Sequence, residues 1–392
     1  MNQDIVIVAA KRTPMGGFQG SLSTLNTPEI GAAAIKAAVE QAGLQPEQVD
    51  EVYMGCVLPA GVGQAPARQA SLKAGLPEST PCSTVNKVCG SGMKTVMMAA
   101  DQLKAGYDGV ILAGGMESMS NAPYFTEKAR AGFRMGHQKI YDHMFTDGLE
   151  DAYDGNAMGV HAQRTADDYK LERSAMDEFA IRSLSRANAA IENGWFENEI
   201  TPVTIESRKG TTVVEHDEQP GMARPDKIPQ LRPAFAKDGT ITAANSSSIS
   251  DGASALIVTT AEKAQALGLK PIARILDYSS HAQTPSTFTC APIGAIQKIL
   301  DKQDIRPADI DLFEINEAFA MVTMLAMQEV GLDPEKTNIS GGACALGHPL
   351  GSSGSRILVT LIHNLIRTGG KRGLASLCIG GGEATAMLVE IM

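Results

Sequence analysis

Thiols, an imidazole and a carboxamide sit beside glycine turns in this chain of 392 residues. Cys89 lies in Asn86-Lys-Val-Cys89-Gly-Ser-Gly, where a strand over 83–88 is expected to turn through Gly90 and Gly92 into a helix. Unpaired amides and the helix dipole at such a start lower a thiol pKa and favour the nucleophilic thiolate. Glycine there also lets another backbone or a ligand come close. A small buried cysteine at a tight turn gives the same local pattern. Cys378 ends an apolar strand just before Gly380-Gly-Gly382, whose amides can form an anion pocket. Taken alone, such a cysteine fits a core position as well. His348 lies in Gly347-His-Pro-Leu-Gly351, a turn feeding a helix. Imidazole beside thiol is a standard way to activate a nucleophile, although a turn histidine is also a structural hydrogen-bonder. Asn316 opens Asn316-Glu-Ala-Phe319 after an apolar strand. Its amide can hold a water or a carbonyl oxygen, or serve only as a helix cap.

These residues need a scaffold, and the chain carries it twice. Residues 35–50 repeat in pattern as residues 296–311, at an offset of 296 − 35 = 261. Each copy reads as helix, proline turn (Pro46, Pro307) and strand. After Cys89, Met93, Val96, Met97, Ala100 and Leu103 recur at helical spacing up to Gly106, and a buried strand over 110–113 leads into Gly114-Gly115. After His348, Ile357, Leu358, Leu361, Ile362 and Leu365 do the same up to Gly369, followed by a strand over 374–379. Position 89 + 261 = 350 falls two residues past His348. A two-fold between copies therefore faces the thiol turn with the imidazole turn. Strands alternating with helices, apolar on both faces, predict an α/β fold of two similar halves.

Residues 119–243 differ in character. They are more charged, carry a proline-bearing stretch over 219–233, and include a helix over 174–193 that buries Phe179, Leu184, Ala187 and Ile191. An excursion of this length is expected to cover a site, with plain surface elaboration as the alternative. The formal charge of −10 argues against nucleic acid or an anionic membrane as partner. An anionic small molecule stays compatible, since a few cations and amides hold one. No apolar run reaches the ~18 residues of a membrane span. The first strand is expected over 5–10, so no leader is expected ahead of it, and the last residues do not read Ser-Lys-Leu. Six cysteines without a Cys-x-x-Cys pair read as free thiols in a reducing, cytoplasmic setting. The other six histidines show no metal spacing, and neither dinucleotide nor P-loop glycine patterns occur.

Five motifs in order carry a specific resemblance: Asn86-Lys-Val-Cys89-Gly-Ser-Gly-Met-Lys94, Gly114-Gly-Met-Glu-Ser-Met119, Asn316-Glu-Ala-Phe319, Gly341-Gly-Ala-Cys-Ala-Leu-Gly-His348-Pro-Leu-Gly351 and Cys378-Ile-Gly-Gly-Gly382. Together with Leu231-Arg-Pro-Ala-Phe235 and Asn245-Ser-Ser-Ser-Ile-Ser-Asp-Gly252, they make the whole chain resemble a thiolase. Within that family it looks most like the short-chain, acetoacetyl-CoA-type acetyltransferases. The resemblance implies a thiolase fold: two halves in a five-layer α/β/α/β/α arrangement, with a loop domain over coenzyme A. Residues 1–118 with 244–270 form the expected first half, 119–243 the loop domain and 271–392 the second half. Cys89 is then the acylated nucleophile, His348 its base, and Cys378 the acid and base for the second substrate. His348 with a water on Asn316 forms one oxyanion hole, and the amides of Cys89 and Gly380 the other. The substrates implied are acetyl-CoA, acetoacetyl-CoA and coenzyme A, in fatty acid metabolism, with no metal or redox cofactor. A homotetramer built from dimers is implied too, with residues 124–147 as its contact loop.

The sequence also departs from its relatives. Ala157 precedes Met158-Gly159 where many have histidine, and Phe288 precedes Thr289-Cys290-Ala291-Pro292 where Gly-x-Gly-Pro is usual. Phe288 beside Met158 is expected to shorten an acyl pocket, favouring two-carbon units, and Phe235, Ala318 and Phe319 are further expected substrate or coenzyme A contacts. Ser247 is the expected pantetheine contact and Arg224 the expected cation near the nucleotide. A broader degradative 3-ketoacyl-CoA thiolase uses the same residues, and a non-catalytic acyl-CoA carrier is the reading from a different class.

Overall fold

In the computed structural model, which describes residues 4–208 and 210–392, the duplication takes the form of two matching half-sheets. The first runs Cys82–Val85, Glu51–Gly55, Ile111–Ser118, Ser250–Thr260, Ile5–Arg12. The second runs Leu312–Ile315, Arg372–Ile379, Glu383–Ile391, Ala273–Ala282. In each, a parallel pair leads into two antiparallel pairs: Glu51–Gly55 with Ile111–Ser118, and Leu312–Ile315 with Arg372–Ile379, are the matched parallel pairs, and the first half adds another, Cys82–Val85 with Glu51–Gly55. The extra first-half strand Cys82–Val85 has a one-residue counterpart, Thr337, bridged to Phe313 in parallel. The half-sheets join edge to edge where Val6 meets Arg274 and Ile7 meets Ala273.

Five layers follow from the packing. Helices Ser91–Lys104 and Leu350–Thr368 lie against each other between the half-sheets; Thr27–Ala42 covers the outer face of the first and Ala291–Gln303 that of the second. Leu350–Thr368 is buried continuously from Leu350 to Ile362, as a helix enclosed by protein on all sides must be. Glycine sets the spacing of the middle layer. A Cβ on Gly354 would stand 2.4 Å from the Met93 nitrogen, and one on Gly115 1.9 Å from the Gly351 oxygen. Among the described residues no helix is long and apolar enough to cross a membrane.

The charged excursion contains helices Met158–Asp168 and Arg173–Glu192 and the hairpin Val203–Ser207 with Gly210–Val214. The second helix buries Phe179, Leu184 and Ala187 as its spacing predicts, with Ile191 half-buried. A buried cluster holds the excursion to the core: Arg12 donates to both Asp217 oxygens, at 2.7 and 2.9 Å, and to Glu199. Removing one member would leave an unpaired buried charge, worth about 3–5 kcal/mol.

Two strands end elsewhere than expected. The strand before Cys89 stops at Val85, because the chain leaves the sheet to build the cysteine turn. The strand expected over 110–113 runs as Ile111–Ser118 through both glycines, since Ser250–Thr260 pairs with it from Val258 to Asp251.

Candidate active site

Cys89 sits between Cys82–Val85 and helix Ser91–Lys104, just after Val88 at φ 47°. A β-branched residue avoids that left-handed region, so the turn must be held by its surroundings. Asn86 Oδ1 accepts from the Val88 amide at 2.9 Å, Ser91 Oγ accepts from the Lys87 amide at 2.8 Å, and the same hydroxyl donates to the Val88 carbonyl at 2.6 Å. The Lys87 ammonium pairs with Glu383, tying the turn to the second half. Burial pushes the Cys89 thiol up to about 11, although the amides of Gly380 and of Cys89 itself favour the thiolate. The expectation of a lowered thiol pKa at this helix start is therefore corrected. Desolvation outweighs the amides, and a base must take the proton.

Cys378 is buried one residue before the end of Arg372–Ile379. Burial first, then the neighbouring Cys89, holds its thiol well above the ordinary value. It shares one apolar cluster with Met158, Phe235, Phe288, Ala318 and Phe319. The Phe319 ring stands edge-on to Phe235 at 6.3 Å and to Phe288 at 6.4 Å, and Phe288 is 3% exposed. Gly380 joins thiol turn and pocket: a Cβ there would meet Met158 Sδ at 3.5 Å and Val88 at 3.7 Å.

His348 and Asn316 form the third group. Asn316 is fully buried, its amide nitrogen 3.5 Å from His348 Nδ1 and its main chain bonded to Ser376 O at 3.0 Å. Ser353 Oγ bonds His348 Nδ1, and its own proton has an acceptor in the Pro349 carbonyl at 2.9 Å. A proton on Nδ1 is then relayed to Ser353 Oγ and on to the Pro349 carbonyl, which leaves Nε2 as an acceptor; the Asn316 amide nitrogen, itself a donor, makes no bond to Nδ1 in that tautomer. Burial, with Arg356 second, pulls His348 down to about 3, so the ring is neutral. His348 Nε2 and Asn316 Oδ1 are both buried without a partner among the described residues. Such atoms are rare, and both accept rather than donate, which suits a thiol S–H and a water.

A cavity of about 360 Å³, lined among others by Arg224, Lys227, Leu231, Ser248 and Cys344, adjoins the His348 turn through Ser248, whose carbonyl accepts from the His348 amide at 3.2 Å. The serine segment runs beside Asn316-Glu-Ala-Phe319: the Ser247 amide donates to Ala318 O, and Ala320 donates to Asn245 O, each at 2.9 Å. Ser248 is the serine on the cavity wall, while Ser247 stands next to Ala318. Arg224 is exposed on that wall with Lys227, a second cation that the sequence reading missed. Its signal was a lysine three residues beyond Arg224 in a proline-bearing turn. The glutamates inside two motifs were also passed over. Glu117 occupies in the first half the place of Cys378 in the second (378 − 117 = 261), a signal the repeat carried. Away from the site, Asp151, Asp154 and His161 gather their ligand atoms within 4.8 Å; Asp154 already bonds His161 Nε2 at 3.2 Å.

Known proteins share this architecture along its whole length. Residues 5–262 match the family model for the thiolase N-terminal domain and residues 269–391 that for the thiolase C-terminal domain. The acetyl-CoA acetyltransferase of Cupriavidus necator is 50% identical over 390 residues, 99% of each chain. That of Pseudomonas aeruginosa is 49% identical over 387 residues, 98% of each chain. Two crystal structures, the Bacillus anthracis acetyl-CoA acetyltransferase and the Ascaris suum Acat5 thiolase in complex with coenzyme A, superpose at TM-scores of 0.97 and 0.94. Both are 40% identical, with all of each chain covered.

Proposed function

The chain belongs to the thiolase family, and on that premise we propose that it is an acetyl-CoA C-acetyltransferase acting through an acetyl-Cys89 intermediate. The observation that carries this reading is the meeting of two buried, protonated thiols, Cys89 and Cys378, with the Gly380 amide on Cys89, in a chain whose neutral His348 keeps Nε2 as an unpaired acceptor.

The resting protonation states fit cleavage of acetoacetyl-CoA. His348 Nε2 takes the Cys89 proton, and the sulfur attacks the C3 carbonyl. The C2–C3 bond breaks, and Cys378 gives its proton to C2, releasing acetyl-CoA. Coenzyme A then loses its thiol proton to the Cys378 thiolate and attacks the acetyl group. Cys89 leaves and recovers its proton from His348. Condensation of two acetyl-CoA is the same path reversed. Negative charge appears on a thioester oxygen in each half-reaction. The Cys89 and Gly380 amides serve one oxyanion; a water on Asn316 with protonated His348 serves the other. One such donor contributes about 3–4 kcal/mol. Protons and acyl groups are all that move, so the chemistry asks for no metal or redox cofactor, and coenzyme A is a substrate.

Arg224 and Lys227 supply positive charge on the cavity wall for the phosphates of coenzyme A, with Ser247 and Ser248 along the pantetheine. Phe288, packed edge-on against Phe319, closes the acyl end and favours two-carbon units over the longer substrates of a degradative thiolase. Exposed apolar side chains at Tyr124, Phe133, Met135 and Ile140 support the 124–147 loop as the contact of a homotetramer. Fatty acid metabolism in the cytoplasm is the setting that fits. Coenzyme-A-dependent cleavage of acetoacetyl-CoA tests the reading. Turnover by the wild type, lost in Cys89→Ala, is expected; a folded wild type with no turnover would overturn it.

A further inference from the structure

The stretch that carries His348, residues 341–351, contains no regular element longer than the four-residue turn Ala343–Leu346 until helix Leu350–Thr368 begins. A general base must nevertheless be held to a fraction of an ångström. Two carboxylates, both fully buried, grip this stretch on either side of the imidazole. On the amino side, Glu317 accepts from the Cys344 amide at 3.1 Å, from Ser183 Oγ at 2.7 Å and from Asn338 at 2.8 Å. Ser183 Oγ in turn accepts from the Gly342 amide at 2.9 Å. On the carboxyl side, Glu117 accepts from the Gly351 amide at 2.8 Å and from the amides of Val57 and Leu58 at 2.9 and 3.1 Å. Cys56 Sγ adds a weaker contact at 3.6 Å.

Glycine makes both grips close. A Cβ on Gly342 would stand 2.3 Å from the Glu317 carboxyl carbon, and one on Gly351 2.8 Å from Glu117 Oε2. Between the grips, the His348 amide donates to Ser248 O at 3.2 Å. Glu117 comes from the first half, Glu317 from the second, and Ser183 from the excursion, so all three parts of the chain converge on one turn. The proposed chemistry uses neither carboxylate.

We propose that Glu117 and Glu317 are positioning residues that fix the His348 turn at its two ends, so that Nε2 is aimed at Cys89. The proposal rests on His348 being the base for Cys89. Replacing either glutamate by glutamine turns one acceptor oxygen into a donor that faces another donor, a backbone N–H at Glu117 and either the Cys344 amide or the Asn338 side chain at Glu317, so a bond is lost and that grip is loosened.

A double-mutant cycle separates positioning from general support. Wild type, Glu117→Gln, Glu317→Gln, His348→Ala and each Glu→Gln/His348→Ala pair are compared for kcat, for KM and for the rate of Cys89 alkylation by iodoacetamide. Each glutamine variant should lose about 10- to 100-fold in kcat, keep KM for coenzyme A within about twofold, and alkylate more slowly. In the His348→Ala background the same substitutions should change the alkylation rate by less than about twofold. An equal loss in that background, a change confined to KM, or unchanged kcat would overturn the proposal. Alkylation left unchanged by His348→Ala alone would instead refute the role of His348 on which it rests. Ser183→Ala removes one hydroxyl and leaves the carboxylate in place. It should show a smaller loss with the same signature, and decides the question for the amino-side grip even where a glutamine variant does not fold.

Discussion

The two halves share strand order, pairing sense and helix placement, yet at equivalent positions they hold different chemistry. At the end of Arg372–Ile379 stands Cys378; at the end of Ile111–Ser118, 261 residues earlier (378 − 117 = 261), stands Glu117. At the end of Leu312–Ile315 comes Asn316; its counterpart (316 − 261 = 55) is Gly55, where a Cβ would lie 2.7 Å from the Gly351 oxygen. The first half thus offers a nucleophile turn, an absent side chain and a carboxylate that accepts backbone amides. The second offers a thiol, a carboxamide and an imidazole with unpaired or protonated atoms. The same fold supplies the nucleophile and its support on one side and the groups that move protons and hold charge on the other. Duplication sets the geometry, and the chemistry then diverges at matched strand ends.

The sharpest way to break this contrast is to delete the second-half thiol. Cys378→Ala should lower acetoacetyl-CoA cleavage by about 10²–10⁴-fold, more than Glu117→Gln at the matched position. Comparable losses from the two in a steady-state assay would erase the distinction. Asn316→Ala should cost roughly 10²-fold in kcat through the lost oxyanion water, with the fold retained by circular dichroism. Full activity would show Asn316 to be as passive as Gly55. Phe288→Ala should raise the kcat/KM ratio of 3-ketohexanoyl-CoA to acetoacetyl-CoA by roughly tenfold, a methylene-sized effect per pocket step. An unmoved ratio would take acyl selection away from this ring.

The smallest effect is on stability. Burial raises Glu117 from 4.5 to about 7, so between those values the native protein holds a proton that the unfolded chain has released. This group's contribution is therefore largest below the unfolded value and is lost as pH rises to about 7, a span of roughly 3 kcal/mol. The unfolding free energy of wild type relative to Glu117→Gln should fall between ~pH 5 and ~pH 7 and level off above, measured by denaturant titration. A pH-independent difference would mean that Glu117 is not the group titrating.

Much of this was legible in the sequence. The repeat at 261 predicted two α/β halves, and the apolar spacing of Met93 to Leu103 and of Ile357 to Leu365 located the two central helices. Glycine turns singled out Cys89, His348 and Cys378 because turn chemistry is written locally. What stayed hidden is nonlocal. Glu117 meets Gly351 across 234 positions, and Ser183 meets Glu317 across 134, so no window along the chain displays either bond. The Cys89 thiol was misjudged for the same reason: its amide donors are local, but its burial comes from strands and helices far along the chain. Strand ends at Val85 and Ser118 depended on partners in like manner.

The most direct test of the division between halves is where the acetyl group rests. Wild type, Cys89→Ala and Cys378→Ala are mixed with acetyl-CoA, quenched, and mapped by peptide mass spectrometry. Acetyl is expected on Cys89 in the wild type and in Cys378→Ala, and on no cysteine in Cys89→Ala. Acetyl on Cys378, or on no cysteine in a folded wild type, would contradict that division.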